Sequence, residues 1–182
     1  MRLFVAIELA TEAKDQLAAL KTDIPGATWV KPAAMHLTLR FLGDQIDPIR
    51  LLPIQKALGS IKGEPFALTV RTAGRFPEGG KKPARVLWIG IAEQPVLRTL
   101  QAAVEQAVIA VGFPAEERAF SPHITLARMK NEERSPELDQ FLDQHKGFRA
   151  APFTVKEFFL VSSLLTPQGP IYRHEASFPL TL

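Results

Sequence analysis

The chain has 182 residues, of which 46% are hydrophobic, and 22 basic against 19 acidic residues give a formal net charge of +3. This length and apolar content suffice for one compact domain, and the mild positive charge is compatible with a polyanionic partner without requiring one. The absence of cysteine excludes disulfides, thiolate zinc sites and cysteine nucleophiles. No segment approaches the roughly 20 apolar residues of a membrane span, and Glu8 interrupts the apolar N-terminus too early for a secretory signal. We therefore expect a soluble, cytoplasmic protein without membrane association.

The first half of the chain alternates predicted strands and helices. An apolar run over Arg2 to Leu9 predicts a buried strand, and Thr11 is the predicted N-cap of a helix that ends near Lys21. Three more elements follow: a strand from Met35 to Leu42, a helix that Asp47-Pro48 opens and Gly59 ends, and a strand from Phe66 to Thr72.

The second half repeats this order. The predicted elements are a strand from Arg85 to Ile91, a helix from Pro95 to Val111, a strand from His123 to Met129, a helix opened by Ser135-Pro136, and strands over Phe153 to Leu164 and Ile171 to Leu180. Strand, helix, strand, helix, strand thus occurs twice, over about 1–73 and 84–182. We predict an α+β fold over 1–182, a single domain of two interlocked lobes. An approximate two-fold axis would bring their equivalent strands together at a shared cleft.

A basic segment separates the two halves. Gly74 to Pro83 contains three glycines together with Arg75, Lys81 and Lys82, a composition that predicts a flexible loop. Two interpretations stay open, a solvated hairpin connection or a contact with the phosphates of a longer RNA.

The tripeptide pattern His-x-Thr occurs once in each half. In an extended strand, residues i and i+2 project from the same face, so His36 lies beside Thr38 and His123 beside Thr125. Two such strands facing one another would enclose a small anion. Histidine has an unperturbed pKa of about 6.5, so one copy can donate a proton while the other accepts one near neutral pH. These four side chains fit phosphodiester chemistry, and nothing in their spacing fixes which histidine is the acid.

Three segments around these motifs closely resemble the 2H phosphoesterase superfamily. They are Trp29-Val30-Lys31-Pro32, the run His36-Leu37-Thr38-Leu39-Arg40-Phe41-Leu42-Gly43, and the run Ser121-Pro122-His123-Ile124-Thr125-Leu126-Ala127-Arg128. Within that superfamily the chain is similar, over nearly its whole length, to the bacterial and archaeal RNA 2',3'-cyclic phosphodiesterases, historically called 2'-5' RNA ligases. The resemblance implies a bilobal α+β fold with two antiparallel sheets and outer helices around a central cleft. It also implies opening of a terminal 2',3'-cyclic phosphate to a 2'-phosphate without metal or other cofactor.

The resemblance assigns a role to each motif side chain. It implies that His36 is the proton donor to the departing 3' oxygen and His123 the proton acceptor, while Thr38 and Thr125 hydrogen-bond the phosphate.

The resemblance also suggests substrate-binding residues outside the motifs. Phe41 and Arg128 would flank the terminal base. Independently of the resemblance, Tyr172, Arg173 and His174 could border the cleft, and a surface strand end is the default interpretation for them. Strict strand alternation places the fifth residue after each motif histidine on the face opposite that histidine, so the strand must end, twist or bulge first. For Phe41 a core position therefore stays an open alternative.

Several rival functions share this site. The substrate could instead be a 2'-5' linked oligonucleotide or ADP-ribose cyclic phosphate, and a 2'-5' RNA ligase would run the chemistry in reverse. A non-catalytic binder of RNA 3' ends would not need both histidines. A metal site built from the four histidines lacks the ligand spacing of zinc proteins. The expected partners are RNA 3' ends with a 2',3'-cyclic phosphate, including tRNA halves, or nucleotides, and we expect a monomer.

Overall fold

The structure, a computed structural model, describes residues 1–130 and 133–181. The described residues form the strands β1 (Arg2–Glu8), β2 (Ala27–Trp29), β3 (His36–Gly43), β4 (Phe66–Leu68), β5 (Val70–Phe76), β6 (Val86–Ile91), β7 (His123–Met129), β8 (Phe153–Val155), β9 (Glu157–Thr166) and β10 (Gly169–Pro179). The helices are α1 (Thr11–Ala18), α2 (Leu51–Gly59), α3 (Pro95–Ala110) and α4 (Pro136–Gln144), and short 3₁₀ turns occupy Pro32–Ala34 and Pro48–Arg50. None of these helices is both long and apolar enough to span a membrane.

Two four-stranded antiparallel sheets form the body of the protein. Their strand orders are β10-β9-β1-β3 and β2-β7-β6-β5, and β4 pairs with β8 in a separate two-stranded sheet. The predicted α+β class with two antiparallel sheets is confirmed.

The two halves of the chain exchange strands, since each large sheet contains two strands from each half. β9 comes from the second half and pairs with β1, while β5 comes from the first half and pairs with β6. Each sheet therefore depends on main-chain hydrogen bonds to a strand from the other half. One buried cluster accordingly draws side chains from both sheets and all four helices. Neither large sheet is complete without strands from the other half of the chain.

Alternation places the middle residue of each His-x-Thr motif in this core. Leu37 on β3 and Ile124 on β7 are both 0% exposed. Burying such a side chain contributes about 1.5–3 kcal/mol. If either strand turned its histidine toward the core, the aliphatic side chain would become exposed to solvent. Core packing therefore keeps the histidine and threonine on the opposite face, which lines the cleft.

Two of the three predicted helix caps are observed. The side-chain oxygen of Ser135 accepts a hydrogen bond from the backbone N–H of Leu138 and caps α4. Asp47 caps the 3₁₀ turn that leads into α2. The prediction for Thr11 is wrong, because the N–H of Lys14 donates to the carbonyl of Ala10 and makes Ala10 the residue before the first turn.

The predicted basic loop is shorter than expected because β5 continues through Phe76. Gly74 is part of this strand and lies under the Trp88 indole, with which any Cβ would collide. Arg75 is buried, and its guanidinium donates to the carbonyls of Pro77 and Lys82. Arg75 therefore stabilises the connection between β5 and β6, and its guanidinium is not positioned to bind phosphate.

Two predicted strands each divide into two. The predicted strand from Phe66 breaks at Thr69 and the one from Phe153 breaks at Lys156, so that β4 and β8 leave the large sheets and pair with each other. The breaks fall at equivalent places in the two halves, as expected for a duplicated fold.

Candidate active site

The two motif strands lie next to each other. β3 is the edge strand of the first sheet and contacts β7 of the second. All four motif side chains are half-buried, whereas the aliphatic residues between them are fully buried. The four side chains named in the sequence, His36, Thr38, His123 and Thr125, thus occupy the cleft faces of two adjoining strands.

Both imidazoles are held in the same way. The Nδ1 of His36 lies 2.9 Å from the carbonyl oxygen of Ala34, and the Nδ1 of His123 lies 2.8 Å from that of Ser121. A carbonyl can only accept, so Nδ1 carries the proton in both rings and Nε2 is the nitrogen left for chemistry. In the first motif, the Thr38 hydroxyl lies 3.1 Å from the Nε2 of His36. The carbonyl two residues before each histidine thus sets the tautomer and the ring orientation.

Each motif strand contains a β-bulge directly after its threonine. On β3, Thr38 pairs with Ala6 and Arg40 with Val5, which leaves Leu39 as the extra residue. On β7, the register skips Leu126 in the same way. An extra residue inverts the alternation that follows it.

The bulges return the fifth residue after each histidine to the cleft face. Phe41 on β3 is 38% exposed and Arg128 on β7 is also exposed, while their neighbours along each strand are mostly buried. Phe41 is therefore not a core residue. Strict alternation would have placed Phe41 and Arg128 on the face opposite the histidines, and the bulges explain why they lie on the same face.

Two arginines border this part of the cleft. The Arg2 guanidinium lies 4.7 Å from the centre of the Phe41 ring, a cation–π contact, and forms an ion pair with Asp44. Arg128 lies near enough to the other lobe that its charge acts to lower the pKa of both His36 and Tyr172. These residues place positive charge and a partly exposed aromatic ring beside the motif.

Aromatic rings surround both histidines. The His36 ring stacks on Phe4 with centroids 4.8 Å apart and meets the edge of Tyr172 at 5.2 Å. The His123 ring meets Phe76 at 5.0 Å and Trp88 at 6.2 Å. Such packing restricts the rings to one orientation, as proton transfer in a fixed direction requires.

Burial lowers the pKa of His36 below its usual range. The Arg128 charge lowers the pKa further, while the hydrogen bond to Ala34 and the negative charge of Glu8 act to raise it. His36 is therefore mainly neutral at neutral pH in the free protein. Burial also raises the pKa of Tyr172, so its hydroxyl keeps its proton and can donate a hydrogen bond.

Two neighbours of the motifs were not predicted from the sequence. Glu8 opposes His36 in the register and Trp88 opposes Thr125, and both belong to the cleft face. The sequence offered a sign of Glu8, because this charged residue ends an apolar strand. Nothing local to the motif indicates Trp88, whose position opposite Thr125 is known only from the strand order.

The remaining two histidines do not extend the site into a metal centre. His145 ends α4 with its Nδ1–H donated to the carbonyl of Phe141, and His174 stacks on Phe159 at 4.1 Å. Within residues 1–130 and 133–181, no three histidine, aspartate or glutamate side chains converge as a metal ion would require.

Comparison with known proteins places this geometry in context. A family model described as "LigT like Phosphoesterase" matches residues 7–88 and again 89–172. The chain is 31% identical over 176 residues to an RNA 2',3'-cyclic phosphodiesterase of Archaeoglobus fulgidus, covering 95% of this chain and 97% of the relative. A Thermotoga maritima protein of the same name is 35% identical over 179 residues, covering 95% and 92%. The crystal structure of E. coli LigT complexed with 3'-AMP superposes with a TM-score of 0.81 at 27% identity, covering 100% of this chain and 98% of that one.

Proposed function

The chain belongs to the LigT-like phosphoesterase family, whose members are phosphodiesterases, and on this premise we propose that it hydrolyses the terminal 2',3'-cyclic phosphate of RNA to a 2'-phosphate. The observation that carries the proposal is the pair of equivalently held imidazoles, each with Nδ1–H bonded to a backbone carbonyl. This leaves Nε2 as the nitrogen that exchanges a proton, and on His36 it lies 3.1 Å from the Thr38 hydroxyl. The curated relatives named RNA 2',3'-cyclic phosphodiesterase support the choice of substrate.

In the proposed reaction, His123 accepts a proton from water while the water oxygen forms a bond to phosphorus. The bond between phosphorus and the 3' oxygen breaks, and His36 donates its Nε2 proton to that oxygen. The products are a 3' hydroxyl and a 2'-phosphate, so atoms and charge balance without a metal ion or other cofactor. The Thr38 and Thr125 hydroxyls donate to the phosphoryl oxygens and hold the group in line between the imidazoles.

The proposed acid must be protonated when substrate is bound. Burial keeps His36 mainly neutral in the free protein. A bound phosphodiester anion favours the imidazolium form, because an opposite charge nearby raises the pKa of a histidine. Substrate binding therefore raises the pKa of His36, so that its imidazole takes up the proton that it later donates.

Substrate recognition is proposed for three residues of the cleft. The terminal base lies between the exposed part of the Phe41 ring and the Arg128 guanidinium, and Tyr172 donates a hydrogen bond from the edge of the site. Residues 1–182 act as one domain and as a monomer, and the substrates are cytoplasmic RNA 3' ends, including tRNA halves, or nucleotides.

The test compares two substrates in the presence of EDTA. We expect an adenosine 2',3'-cyclic phosphate to be hydrolysed faster than the 2'-5' linked dinucleotide of adenosine, measured by chromatography of the products. Faster cleavage of the 2'-5' linkage would identify the rival activity, a 2'-5' oligonucleotide phosphodiesterase. Loss of cyclic phosphate hydrolysis in EDTA would contradict the metal-independent mechanism.

The lowered pKa of His36 predicts a specific titration. In the free protein the protonated fraction of His36 falls as pH rises through a midpoint below about 6.5. Saturation with adenosine 2'-phosphate should move this midpoint to higher pH, since the anion stabilises the imidazolium. Arg128→Gln should also raise it, because a positive neighbour is lost. NMR titration of the His36 ring, assigned with a His36 variant, measures each midpoint, and a midpoint above 6.5 in the free protein would contradict this electrostatic description.

A further inference from the structure

A cavity of about 320 Å³ opens beside His36 on the cleft face of the first sheet. Its floor consists of Phe4, Ala6, Phe159 and Val161, and Tyr172 and His174 form one wall. Small-molecule sites in proteins span about 300–1,000 Å³, so this cavity accommodates one flat group of modest size.

The corresponding space beside His123 is filled. Ala6 opposes Thr38 in the first sheet, whereas Trp88 opposes Thr125 in the second. The next strand contributes Phe159 in the first sheet but Gly74 in the second. In the described part of the chain, the Trp88 indole thus lies over Gly74 where the first sheet leaves room. The two sides of the duplicated cleft have therefore diverged, and the additional space adjoins His36.

The lining of the cavity suits a nucleobase. Phe4 and Tyr172 meet edge to face at 5.4 Å, and the imidazole of His174 stacks on Phe159. Aromatic and apolar surfaces bind bases by stacking, whatever their identity. The Glu8 carboxylate lies at the end of the cavity, 3.4 Å from His174, and can accept a hydrogen bond from an exocyclic amino group.

Resting on the proposed function, we propose that this cavity binds the base of the penultimate nucleoside of the RNA 3' end. The terminal base is placed between Phe41 and Arg128, farther along the motif strands. The cavity shares His36 and Tyr172 with the reaction site. A group bound in the cavity is therefore part of the same RNA molecule whose cyclic phosphate lies at His36. With the cyclic phosphate at His36 and the terminal base at Phe41, the preceding nucleoside is the substrate group that enters the cavity. Glu8 favours adenine or cytosine over uracil at this position.

The test compares adenosine 2',3'-cyclic phosphate with the dinucleotide ApA that ends in a 2',3'-cyclic phosphate. In the unmodified protein we expect the dinucleotide to have the higher kcat/KM, by about 5- to 100-fold, the range expected for one stacked base. Two variants address the cavity. Ala33→Phe introduces a ring at its exposed edge, and His174→Ala removes the ring that stacks on Phe159. Both should bring the ratio of the two kcat/KM values close to one.

Arg173→Ala is the matched control. Arg173 precedes His174 on β10, is exposed and lies outside the cavity, so the dinucleotide advantage should persist in this variant. Circular dichroism confirms the fold of each protein, and the two cavity variants perturb different sides of the cavity.

Four outcomes would overturn the assignment. A ratio near one in the unmodified protein, or a full dinucleotide advantage in both cavity variants, would overturn the assignment. Equal losses on both substrates would place the terminal nucleoside in the cavity and overturn it as well. No hydrolysis of either substrate by the unmodified protein would contradict the proposed function itself, and with it this assignment.

Discussion

Replacing either motif histidine by alanine should reduce kcat for adenosine 2',3'-cyclic phosphate by about 10²- to 10⁴-fold, the usual contribution of a positioned acid or base. Each ring is held by a backbone carbonyl and by aromatic neighbours, so each variant loses a proton carrier that is held in a fixed position. The double variant should lose little more than either single one, because the acid and the base act in one step. Steady-state hydrolysis in EDTA measures these effects.

The control for the histidine variants is His145→Ala. His145 ends α4 and bonds to a helix carbonyl, so we expect its loss to leave the turnover rate near that of the unmodified protein. His36→Ala also removes a ring that packs on Phe4. Added imidazole distinguishes activity lost through this packing change from activity lost because the proton donor is missing. Partial rescue by imidazole indicates a missing proton carrier. Turnover close to that of the unmodified protein in either His36→Ala or His123→Ala would contradict the mechanism.

Thr38→Val and Thr125→Val should each lower kcat by about 10²- to 10³-fold, as the loss of one donor to a developing charge typically does. Valine keeps the shape of threonine and removes only the hydroxyl. Both threonines are half-buried on the cleft face beside their histidines, so a backbone change is not expected.

The serine variants are the matched controls for the threonine prediction. Thr38→Ser and Thr125→Ser keep the hydroxyl and lose only a methyl group, so most of the activity should remain. A serine variant as inactive as the valine variant would show that the methyl group, and not hydrogen bonding to phosphate, is what the reaction requires.

The motif faces could be predicted because alternation is a local property. An aliphatic residue between histidine and threonine is enough to turn both polar side chains away from the core, and Leu37 and Ile124 do so. The bulges could not be predicted in this way. The bulge on β3 is followed by a buried arginine, Arg40, whose burial depends on Glu105 at 2.6 Å and on the carbonyl of Pro114, both distant in sequence.

The pairing of the strands likewise cannot be predicted from local sequence patterns. Apolar periodicity identified the segments that became β5 and β9 but did not show that each joins the sheet of the other half. The neighbours of His36 and His123 follow from that exchange, since Trp88 lies over Gly74 and Phe159 flanks Ala6. The difference between the two sides of the cleft is therefore a property of the tertiary structure, although the two motifs are nearly identical in sequence.

The most direct test of the proposed chemistry is the identity of the product. Phosphorus NMR of adenosine 2',3'-cyclic phosphate, incubated with the unmodified protein in EDTA, distinguishes the two possible monophosphates. Protonation of the 3' oxygen by His36 predicts that the cyclic phosphate signal is replaced by that of adenosine 2'-phosphate alone. Accumulation of adenosine 3'-phosphate, or a cyclic phosphate signal that persists unchanged, would contradict it.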